Sequence, residues 1–221
     1  MTLKIGHRGA KGYVAENTLA SFKKAIELGV DGIELDVHLS SDGVIMVIHD
    51  QTINRTTAGN GFVKDITSAA LSQYGIPTLA EVLDLLNHNF FVNIELKSDD
   101  LVEKIIVLIE QQVAEKNWSY KNSMISSFLW TELEIVSKTN NQIQIGVLTE
   151  DAIENALVFA KKIKAFSINP YFKLLNSENV KLINKEGFQI HTWTVNMPED
   201  ITFVKSLNVD GIISDFPDKI E

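Results

Sequence analysis

Three carboxylates occupy positions from which they can meet at one edge of a predicted β-structure. Glu34 and Asp36 are two residues apart in the β-rich run 32–37, and Glu95 lies in the later run 90–96. Residues two apart on a strand point to the same face, so the first two carboxylates share one side. Hard divalent cations prefer oxygen ligands, and a cation relieves the repulsion between neighbouring carboxylates. The pattern predicts a site for Mg²⁺, Ca²⁺ or Mn²⁺ formed by Glu34, Asp36 and Glu95.

Two histidines and two cationic residues flank the same predicted edge. His7 and Arg8 end the first β-rich run, His49 follows a predicted hairpin, and Lys97 comes two residues after Glu95. Histidine exchanges protons near neutral pH, so His7 and His49 are a candidate general acid and base. Arg8 and Lys97 would supply fixed positive charge for an anionic substrate. A divalent cation, two proton-transfer groups and two cationic side chains together indicate phosphoester chemistry.

Each of these residues also has an ordinary structural explanation when it is taken alone. Glu34 and Asp36 could face outward on an exposed strand, and Glu95 with Lys97 is compatible with a surface ion pair. A lone histidine is about as often a hydrogen-bonded structural residue as a catalytic one, and Trp193 would by frequency belong to a core. The remaining histidines are interpreted as structural or exposed: His38, His88 and His191. The functional interpretation therefore depends on the elements that bring the residues together.

Short β-rich runs alternate with amphipathic stretches along most of the chain. Eight such runs are centred near Ile5, Glu34, Ile94, Ile125, Ile145, Ile168, Trp193 and Ile212. Eight strands with helical crossovers predict an α/β fold, a closed (β/α)₈ TIM barrel, in which reactive groups lie at the carboxyl ends of the strands. A doubly wound open sheet is the alternative, but no glycine-rich fingerprint follows the first strand.

Local signals refine the order of the elements. Residues 44–48 follow a turn signal too short for a parallel connection, so they are predicted to form an antiparallel hairpin arm. Asn17 is the expected N-cap of the first helix, and Gly29 its end. Thr78 opens a later helix through a capping box. The run 189–195 is predicted to be one strand with three residues on one face: His191, Trp193 and Val195.

A long stretch from residue 51 to residue 77 interrupts the alternation. It follows the second barrel strand and contains the turn-forming residues Gly59, Gly61 and Gly75. Thr67 is the expected cap of a short helix within it. Long segments in a compact barrel usually have a function, so this one is predicted to form a small inserted unit over the barrel mouth. Residues 1–221 are otherwise predicted to form a single barrel domain.

The composition of the 221-residue chain excludes several classes of protein. With no cysteine, disulfides, thiolate metal sites and cysteine nucleophiles are ruled out. The net charge of −9 argues against binding to the phosphates of nucleic acid. The sequence begins without a signal-peptide pattern and no apolar stretch approaches the length of a membrane helix. These features favour a cytoplasmic protein without a stable membrane anchor, either a monomer or a homodimer.

Taken together, the motifs resemble the glycerophosphodiester phosphodiesterase family along nearly the whole chain and in the family's order. The matching segments are Gly6-His7-Arg8-Gly9, Glu16-Asn17-Thr18, Gly32-Ile33-Glu34-Leu35-Asp36-Val37, Ser41-Asp42-Gly43, His49-Asp50, Arg55-Thr56-Thr57, Pro77-Thr78-Leu79, Glu95-Leu96-Lys97, Ser126-Ser127-Phe128 and Trp193-Thr194-Val195-Asn196. The sequence departs from the family at Ala15, where a proline is frequent, and its insertion is short. The departure bears on local rigidity, and the short insertion bears on substrate preference.

The resemblance implies a barrel with an insertion after its second strand and a defined set of roles. Glu34, Asp36 and Glu95 would bind one divalent metal ion, and His7 and His49 would be the general acid and base. Arg8 and Lys97 would hold the phosphate, while Phe128 and Trp193 would form walls for the glycerol or the leaving group. The implied reaction is the metal-dependent hydrolysis of a small glycerophosphodiester to sn-glycerol 3-phosphate and an alcohol.

Four other functions remain open from the sequence. A glycoside hydrolase would use paired carboxylates but leave both histidines and both cationic residues without a role. A Schiff-base lyase would need a neutral Lys97, which Glu95 beside it disfavours. A non-catalytic phosphometabolite-binding barrel would retain the site without turnover. A phospholipase D-like hydrolase of lysophospholipids would need an apolar rim, for which the insertion offers only Phe62, Tyr74 and Ile76.

Overall fold

The computed structural model describes residues 2–221 and contains a closed barrel of eight parallel strands. The first and last barrel strands pair with each other, so no barrel edge is left open. The barrel strands are β1 (Leu3–His7), β2 (Gly32–Leu39), β4 (Phe91–Leu96), β5 (Ser123–Ser127), β6 (Gln144–Thr149), β7 (Ser167–Pro170), β8 (Gln189–Thr192) and β9 (Gly211–Ser214), and β3 (Ile45–Val47) lies outside this set. The predicted (β/α)₈ TIM barrel is confirmed.

Helices connect the successive barrel strands, and most of them pack on the outside of the barrel through one apolar face. They are α1 (Leu19–Glu27), α2 (Ser68–Gln73), α3 (Leu79–Leu86), α4 (Val102–Glu115), α5 (Trp130–Thr139), α6 (Ile153–Ile163), α7 (Ser177–Lys185) and α8 (Pro198–Ser206). Thr78 begins α3 with the expected capping box, and Gly29 follows α1 with a positive φ of 74°. None of the helices among residues 2–221 is long and apolar enough to cross a bilayer.

Apolar and acidic side chains alternate along β2, so one face of the strand packs in the core and the other faces the site. Ile33, Leu35 and Val37 are fully buried in the main apolar core, while Glu34 and Asp36 point the other way, toward the inside of the barrel. Full burial of each aliphatic side chain contributes about 1.5–3 kcal/mol. A register slip of one residue would exchange the two faces, so this burial fixes the direction in which the two carboxylates point.

Closure of the barrel joins the two ends of the chain. Strand β1 pairs in parallel with β9, with Gly6 opposite Ser214, and with β2, with His7 opposite Glu34. The residue after β9 therefore lies beside the end of β1. Closure therefore places residues from the first and the last barrel strand side by side at the same end of the barrel.

The hairpin prediction is confirmed, because β3 pairs antiparallel with the last residues of β2, Val37 to Leu39. β3 and the segment that follows it share a small apolar core, separate from the main one. This second core consists of Met46, Ile48, Ile53, Val63, Leu71 and Ile76. Thr67 caps the short helix α2 as expected.

Three local expectations were wrong. Thr18, not Asn17, is the N-cap of α1, because its hydroxyl accepts from the backbone N–H of Ser21. Asn17 instead adopts a φ of 56° and turns its amide toward the barrel. The predicted strand 189–195 ends at Thr192, where its ladder with β9 stops, so the two-residue alternation does not extend to Val195. Ile76 is buried, with 5% of its surface exposed, and gives no apolar rim.

Candidate active site

The three predicted carboxylates meet at the carboxyl end of the barrel. Asp36 on β2 is directly opposite Glu95 on β4 in the parallel ladder, and Glu34 lies one layer deeper. Each side chain offers a carboxylate oxygen, and these oxygens all lie within 4.8 Å of one another. Glu34 and Asp36 are buried, with 3% and 1% exposure. The structure thus places three acidic groups, from two neighbouring strands, around one point.

Burial and neighbouring negative charge disfavour the ionisation of two of these carboxylates, Glu34 and Glu95. Burial and the neighbouring charges of Asp36 and Glu95 raise the pKa of Glu34 well above its usual range. Burial and the charge of Asp36 raise the pKa of Glu95 to about 7, although Lys97 opposes this. A carboxyl that is hard to ionise beside two others is the electrostatic signature of a site in which positive charge is needed.

The same atoms fit a hard divalent cation. Glu34 Oε1 and Asp36 Oδ1 are buried and accept no hydrogen bond from any described residue. A buried oxygen without a partner costs about 1–3 kcal/mol, more when it is charged. An all-oxygen donor set with unused lone pairs suits Mg²⁺, Ca²⁺ or Mn²⁺. Asn17 supports the arrangement from outside, because its Nδ2 donates to Asp36 Oδ2 over 2.9 Å.

His7 ends β1 and is held by a carboxylate that the sequence analysis missed. Its Nδ1 lies 2.6 Å from Asp215 Oδ1, and its Nε2 lies 3.9 Å from Glu34 Oε2. Asn196 fixes Asp215 in turn, by donating from Nδ2 to Oδ2 over 2.8 Å. Burial lowers the pKa of His7 although Asp215 opposes the shift. The carboxylate selects the Nδ1–H tautomer, which leaves Nε2 as the acceptor.

His49 is held in the same manner by the residue that follows it. Its Nδ1 lies 2.7 Å from Asp50 Oδ1. Burial lowers the pKa of His49, and the charge of Asp36 opposes the shift. The buried His38 adds a contact from β2, with its Nε2 3.0 Å from the carbonyl oxygen of His49. Both predicted proton-transfer residues thus have a carboxylate on Nδ1.

The turn after β1 explains the Gly-His-Arg-Gly sequence. Arg8 has a φ of 49°, and its backbone N–H donates to Glu34 Oε2 over 2.9 Å. Gly9 has a φ of 87°, and a Cβ there would stand 2.5 Å from the Oγ of Ser21. Only glycine fits both that conformation and that close approach. The turn thereby aims the Arg8 side chain back across the mouth.

Arg8 and Lys97, expected to hold phosphate, lie directly beside the carboxylates at the barrel mouth. Arg8 Nε is 3.2 Å from Asp36 Oδ2, and Lys97 Nζ is 2.7 Å from Glu95 Oε1. Burial would lower the pKa of Lys97, but Glu95 and Asp36 outweigh it and raise that pKa. Lys97 therefore remains a cation, as does Arg8.

A cavity of about 110 Å³ opens between these groups. It is lined by both histidines, Arg8, Lys97, Glu34 and Glu95 on one side and by aromatic and aliphatic groups on the other. Phe128 and Trp193 form part of this second wall, with ring centroids 5.5 Å apart at 88°. Trp193 is fixed by its Nε1–H, which donates to the carbonyl of Asn169 over 2.8 Å. All nine residues singled out from the sequence lie in or directly beside this cavity.

The structure adds further residues to the site that sequence reasoning did not assign. Asp215 is the residue that follows the last barrel strand, so a search of strand ends extended to β9 finds it. Asn93 lies two residues before Glu95 on the same strand face and lines the cavity, and its Oδ1 has no described partner. Glu16 and Arg55 belong to segments that resemble the family's motifs, but nothing in their spacing indicated a role for either residue in the site.

Comparison with known proteins agrees with this geometry. The chain matches the glycerophosphoryl diester phosphodiesterase family over residues 7–219. It is 39% identical over 238 residues to a glycerophosphodiester phosphodiesterase of Caldanaerobacter subterraneus subsp. tengcongensis, covering 99% of this chain and 96% of that protein. A glycerophosphodiester phosphodiesterase of Bacillus altitudinis is 36% identical over 241 residues, again covering 99% and 96%.

Solved structures show the same fold. The glycerophosphodiester phosphodiesterase of Thermotoga maritima superposes with a TM-score of 0.87 at 29% identity and covers 99% of this chain and 96% of its own. A phosphodiesterase of Oleispira antarctica, solved with the product sn-glycerol-3-phosphate, gives 0.87 at 26% identity and covers 98% and 94%. By sequence over nearly its full length, and by fold, this chain belongs to the glycerophosphoryl diester phosphodiesterase family.

Proposed function

We propose that this phosphodiesterase hydrolyses glycerophosphodiesters to sn-glycerol 3-phosphate and an alcohol, with a divalent metal ion and two histidines. The observation that carries the proposal is the pairing of His7 and His49, each held at Nδ1 by a carboxylate, across a cavity that also contains three converging carboxylates. A relative solved with sn-glycerol-3-phosphate supports the identity of the product.

Glu34, Asp36 and Glu95 would hold the metal ion. When bound, it would polarise the phosphoryl oxygens and stabilise the charge that develops in the transition state. Arg8 and Lys97 would orient the same phosphate group. Both are cations that face the cavity, and an arginine fork suits two phosphate oxygens at once.

The two histidines would divide the proton transfers. With Nδ1 donating to a carboxylate, each neutral ring offers Nε2 as an acceptor, so one ring takes the proton of the attacking hydroxyl. The attacking group is water or the glycerol 2-hydroxyl, which would give a cyclic phosphate that water then opens. The other ring protonates the departing alkoxide. A bound phosphate anion favours the protonated form of that ring.

Phe128 and Trp193 would bound the substrate on the uncharged side of the cavity. Phe128 is 41% exposed and stands at the rim, while Trp193 is fixed from beneath by the carbonyl of Asn169. Residues 51–77 would complete the mouth on the side of His49. The cavity is small, so it suits the glycerophosphate part of a substrate, with the alcohol directed outward.

The competing functions fit the site less well. A Schiff-base lyase needs an unprotonated lysine, and the contact between Lys97 and Glu95 keeps that amine protonated. A glycoside hydrolase gives no role to two histidines with carboxylate partners. A lysophospholipid hydrolase would need a larger apolar rim than the half-exposed Phe62 and Tyr74 provide.

An assay of sn-glycerol 3-phosphate release from glycerophosphocholine tests the proposal. We expect activity that EDTA abolishes and that Mg²⁺, Ca²⁺ or Mn²⁺ restores. His7→Asn and His49→Asn should each reduce turnover by about 10²- to 10⁴-fold, the usual range for general acid–base groups. His88→Ala, at an exposed histidine, is the control. Undiminished release in EDTA, or in either histidine variant, would contradict the proposal.

A further inference from the structure

Arg55 is the one arginine of the segment 51–77, and it bridges two carboxylates that belong to different parts of the site. Its Nε and Nη2 donate to Asp50 over 2.7 and 2.9 Å. Its Nη1 and Nη2 donate to Glu16 over 3.0 and 2.7 Å. Arg55 and Glu16 are 39 residues apart in the sequence. The four hydrogen bonds use both edges of the guanidinium fork.

Through Asp50, Arg55 is connected to His49. Asp50 Oδ1 meets both the Nδ1 of His49 at 2.7 Å and the Nη2 of Arg55 at 2.9 Å, while Oδ2 meets Arg55 Nε. With both oxygens engaged, the carboxylate is held in one plane. The imidazole that donates to it is then held in one orientation, with Nε2 toward the cavity.

Through Glu16, Arg55 is connected to Arg8. Glu16 Oε1 accepts from Arg8 Nη1 over 2.8 Å and from Arg55 Nη2 over 2.7 Å. Burial opposes the ionisation of Glu16, but hydrogen bonds from Arg55 and the charge of Arg8 lower its pKa to about 2. Glu16 is thus a permanent anion placed between two arginines. It fixes the side chain of Arg8, which lines the cavity and contacts Asp36.

We propose that Arg55 is a positioning residue through which the segment 51–77 sets the orientation of two groups in the cavity, His49 by way of Asp50 and Arg8 by way of Glu16. The inference rests on the proposed roles of His49 and Arg8, and it gives the inserted segment a part in the reaction. Arg55 itself does not line the cavity, so it acts through its two carboxylate partners.

A purely structural role explains this arrangement less well. Arg55 is half-exposed, with 48% of its side chain accessible, and exposed ion pairs contribute little to stability. The segment 51–77 is already anchored by the small apolar core that it shares with β3, to which it contributes Ile53 and Leu71. Arginine is also specifically required by the geometry. A lysine ammonium carries the same charge but cannot present donors to two carboxylates from both edges of a planar group.

Three single variants test the role of Arg55. Arg55→Ala should reduce kcat/KM by about 10- to 100-fold, the usual effect of losing a residue that orients a reacting side chain. Arg55→Lys should recover only part of that loss. Lys64→Ala removes a positive charge from the same segment at an exposed side chain that has no carboxylate within ion-pair distance among residues 2–221, and it should stay within about twofold of wild type. Thermal unfolding of Arg55→Ala should shift by less than about 4 °C.

The pH profile distinguishes positioning from a general loss of structure. Arg55→Ala leaves the charge of Asp50 unopposed beside His49, while Asp36, Arg8 and Lys97, which also face that ring, are unchanged. The limb of the kcat/KM profile that belongs to His49 should therefore move to higher pH. A loss of activity with an unshifted profile would overturn the inference.

Double-mutant cycles separate the two connections. Asp50→Asn combined with Arg55→Ala should lower kcat little more than Asp50→Asn alone, and Glu16→Gln with Arg55→Ala should behave in the same way for KM. Additive losses in both cycles would overturn the inference. If Arg55→Ala fails to fold, Arg55→Lys replaces it in both cycles. An active wild type that needs His49 but is indifferent to Arg55 refutes only this inference, whereas undiminished activity of His49→Asn refutes the proposed function.

Discussion

The Nδ1 of His7 lies 2.6 Å from Asp215 Oδ1, although the two residues are 208 positions apart. The contact exists because β1 and β9 are neighbours in the closed barrel. Asp215 is itself fixed, since its backbone N–H donates to Asn196 Oδ1 over 2.9 Å and its Oδ2 accepts from Asn196 Nδ2. The residues that follow the last barrel strand thereby determine which nitrogen of His7 is left free to face the cavity.

Asp215→Asn tests this contact. An asparagine keeps the shape but offers a neutral acceptor or a donor to Nδ1, so the imidazole loses both its charged partner and its fixed tautomer. We expect kcat to fall by about 10²-fold or more, with KM nearly unchanged, in steady-state assays of sn-glycerol 3-phosphate release.

Asp218→Asn provides the matched control. Asp218 lies three residues further along, is exposed, and accepts a hydrogen bond from the hydroxyl of Tyr13 rather than from a histidine. This variant should retain the activity of the wild type. Equal kinetic effects of the two substitutions would show that the contact between His7 and Asp215 has no specific role.

Phe128→Ala tests the uncharged wall of the cavity. The Phe128 ring packs edge-to-face on Trp193, lines the cavity and is 41% exposed, so a ligand can reach it and it does not support the main core. Its loss should raise KM by about 10-fold, corresponding to the 0.5–1.5 kcal/mol of an aromatic contact plus the lost apolar area, while kcat changes little.

Phe203→Ala, at a similarly exposed phenylalanine on α8 (43%), should leave KM unchanged. A kcat that falls in Phe128→Ala while KM stays constant would mean that the ring acts on the reaction step and not on binding.

The buried His191 predicts a specific dependence of stability on pH. Its side chain is enclosed by the rings of Phe91 and Phe166, and burial lowers its pKa from 6.5 to about 4. Because the folded state resists protonation of His191, the neutral ring contributes to the free energy of unfolding. This contribution is full above pH 6.5 and is lost as the pH falls toward 4. A shift of this size corresponds to a loss on the order of 3 kcal/mol in the free energy of unfolding.

Urea unfolding at several pH values, compared between wild type and His191→Phe, measures this contribution. The difference in the free energy of unfolding between the two proteins should change between pH 6.5 and 4 in favour of the variant. The same comparison with His88→Ala should show no such change. A constant difference for His191→Phe across this pH range would mean that His191 becomes protonated without disturbing the fold.

Much of the fold follows from sequence periodicity, and the site follows from the fold. The alternation of Ile33, Leu35 and Val37 with Glu34 and Asp36 determines the face on which the carboxylates lie, because apolar side chains must be buried. The rule that polar residues at strand ends meet at one mouth then places Glu95, His7 and Lys97. These are short-range patterns combined with one general property of parallel barrels.

The contacts that complete the site depend on longer-range geometry. Asp215 becomes a partner of His7 only because the barrel closes, and Arg55 meets Glu16 only because the segment 51–77 returns to the loop between β1 and α1. Asn17 looked like a helix cap because its residue type suits one. A left-handed backbone and a hydrogen bond to Asp36 Oδ2 gave it a different role, and no local pattern encodes that partner.

The convergence of Glu34, Asp36 and Glu95 on a single dication is the claim from which the proposed chemistry follows. Calorimetric titration of Mn²⁺ into metal-stripped protein measures it directly, with Glu95→Gln as the test and Glu103→Gln, an exposed glutamate of α4, as the control. We predict one ion bound per chain in the wild type and in Glu103→Gln, and a loss of binding in Glu95→Gln. Undiminished binding in Glu95→Gln, or no binding to the folded wild type, would contradict a metal site at this position.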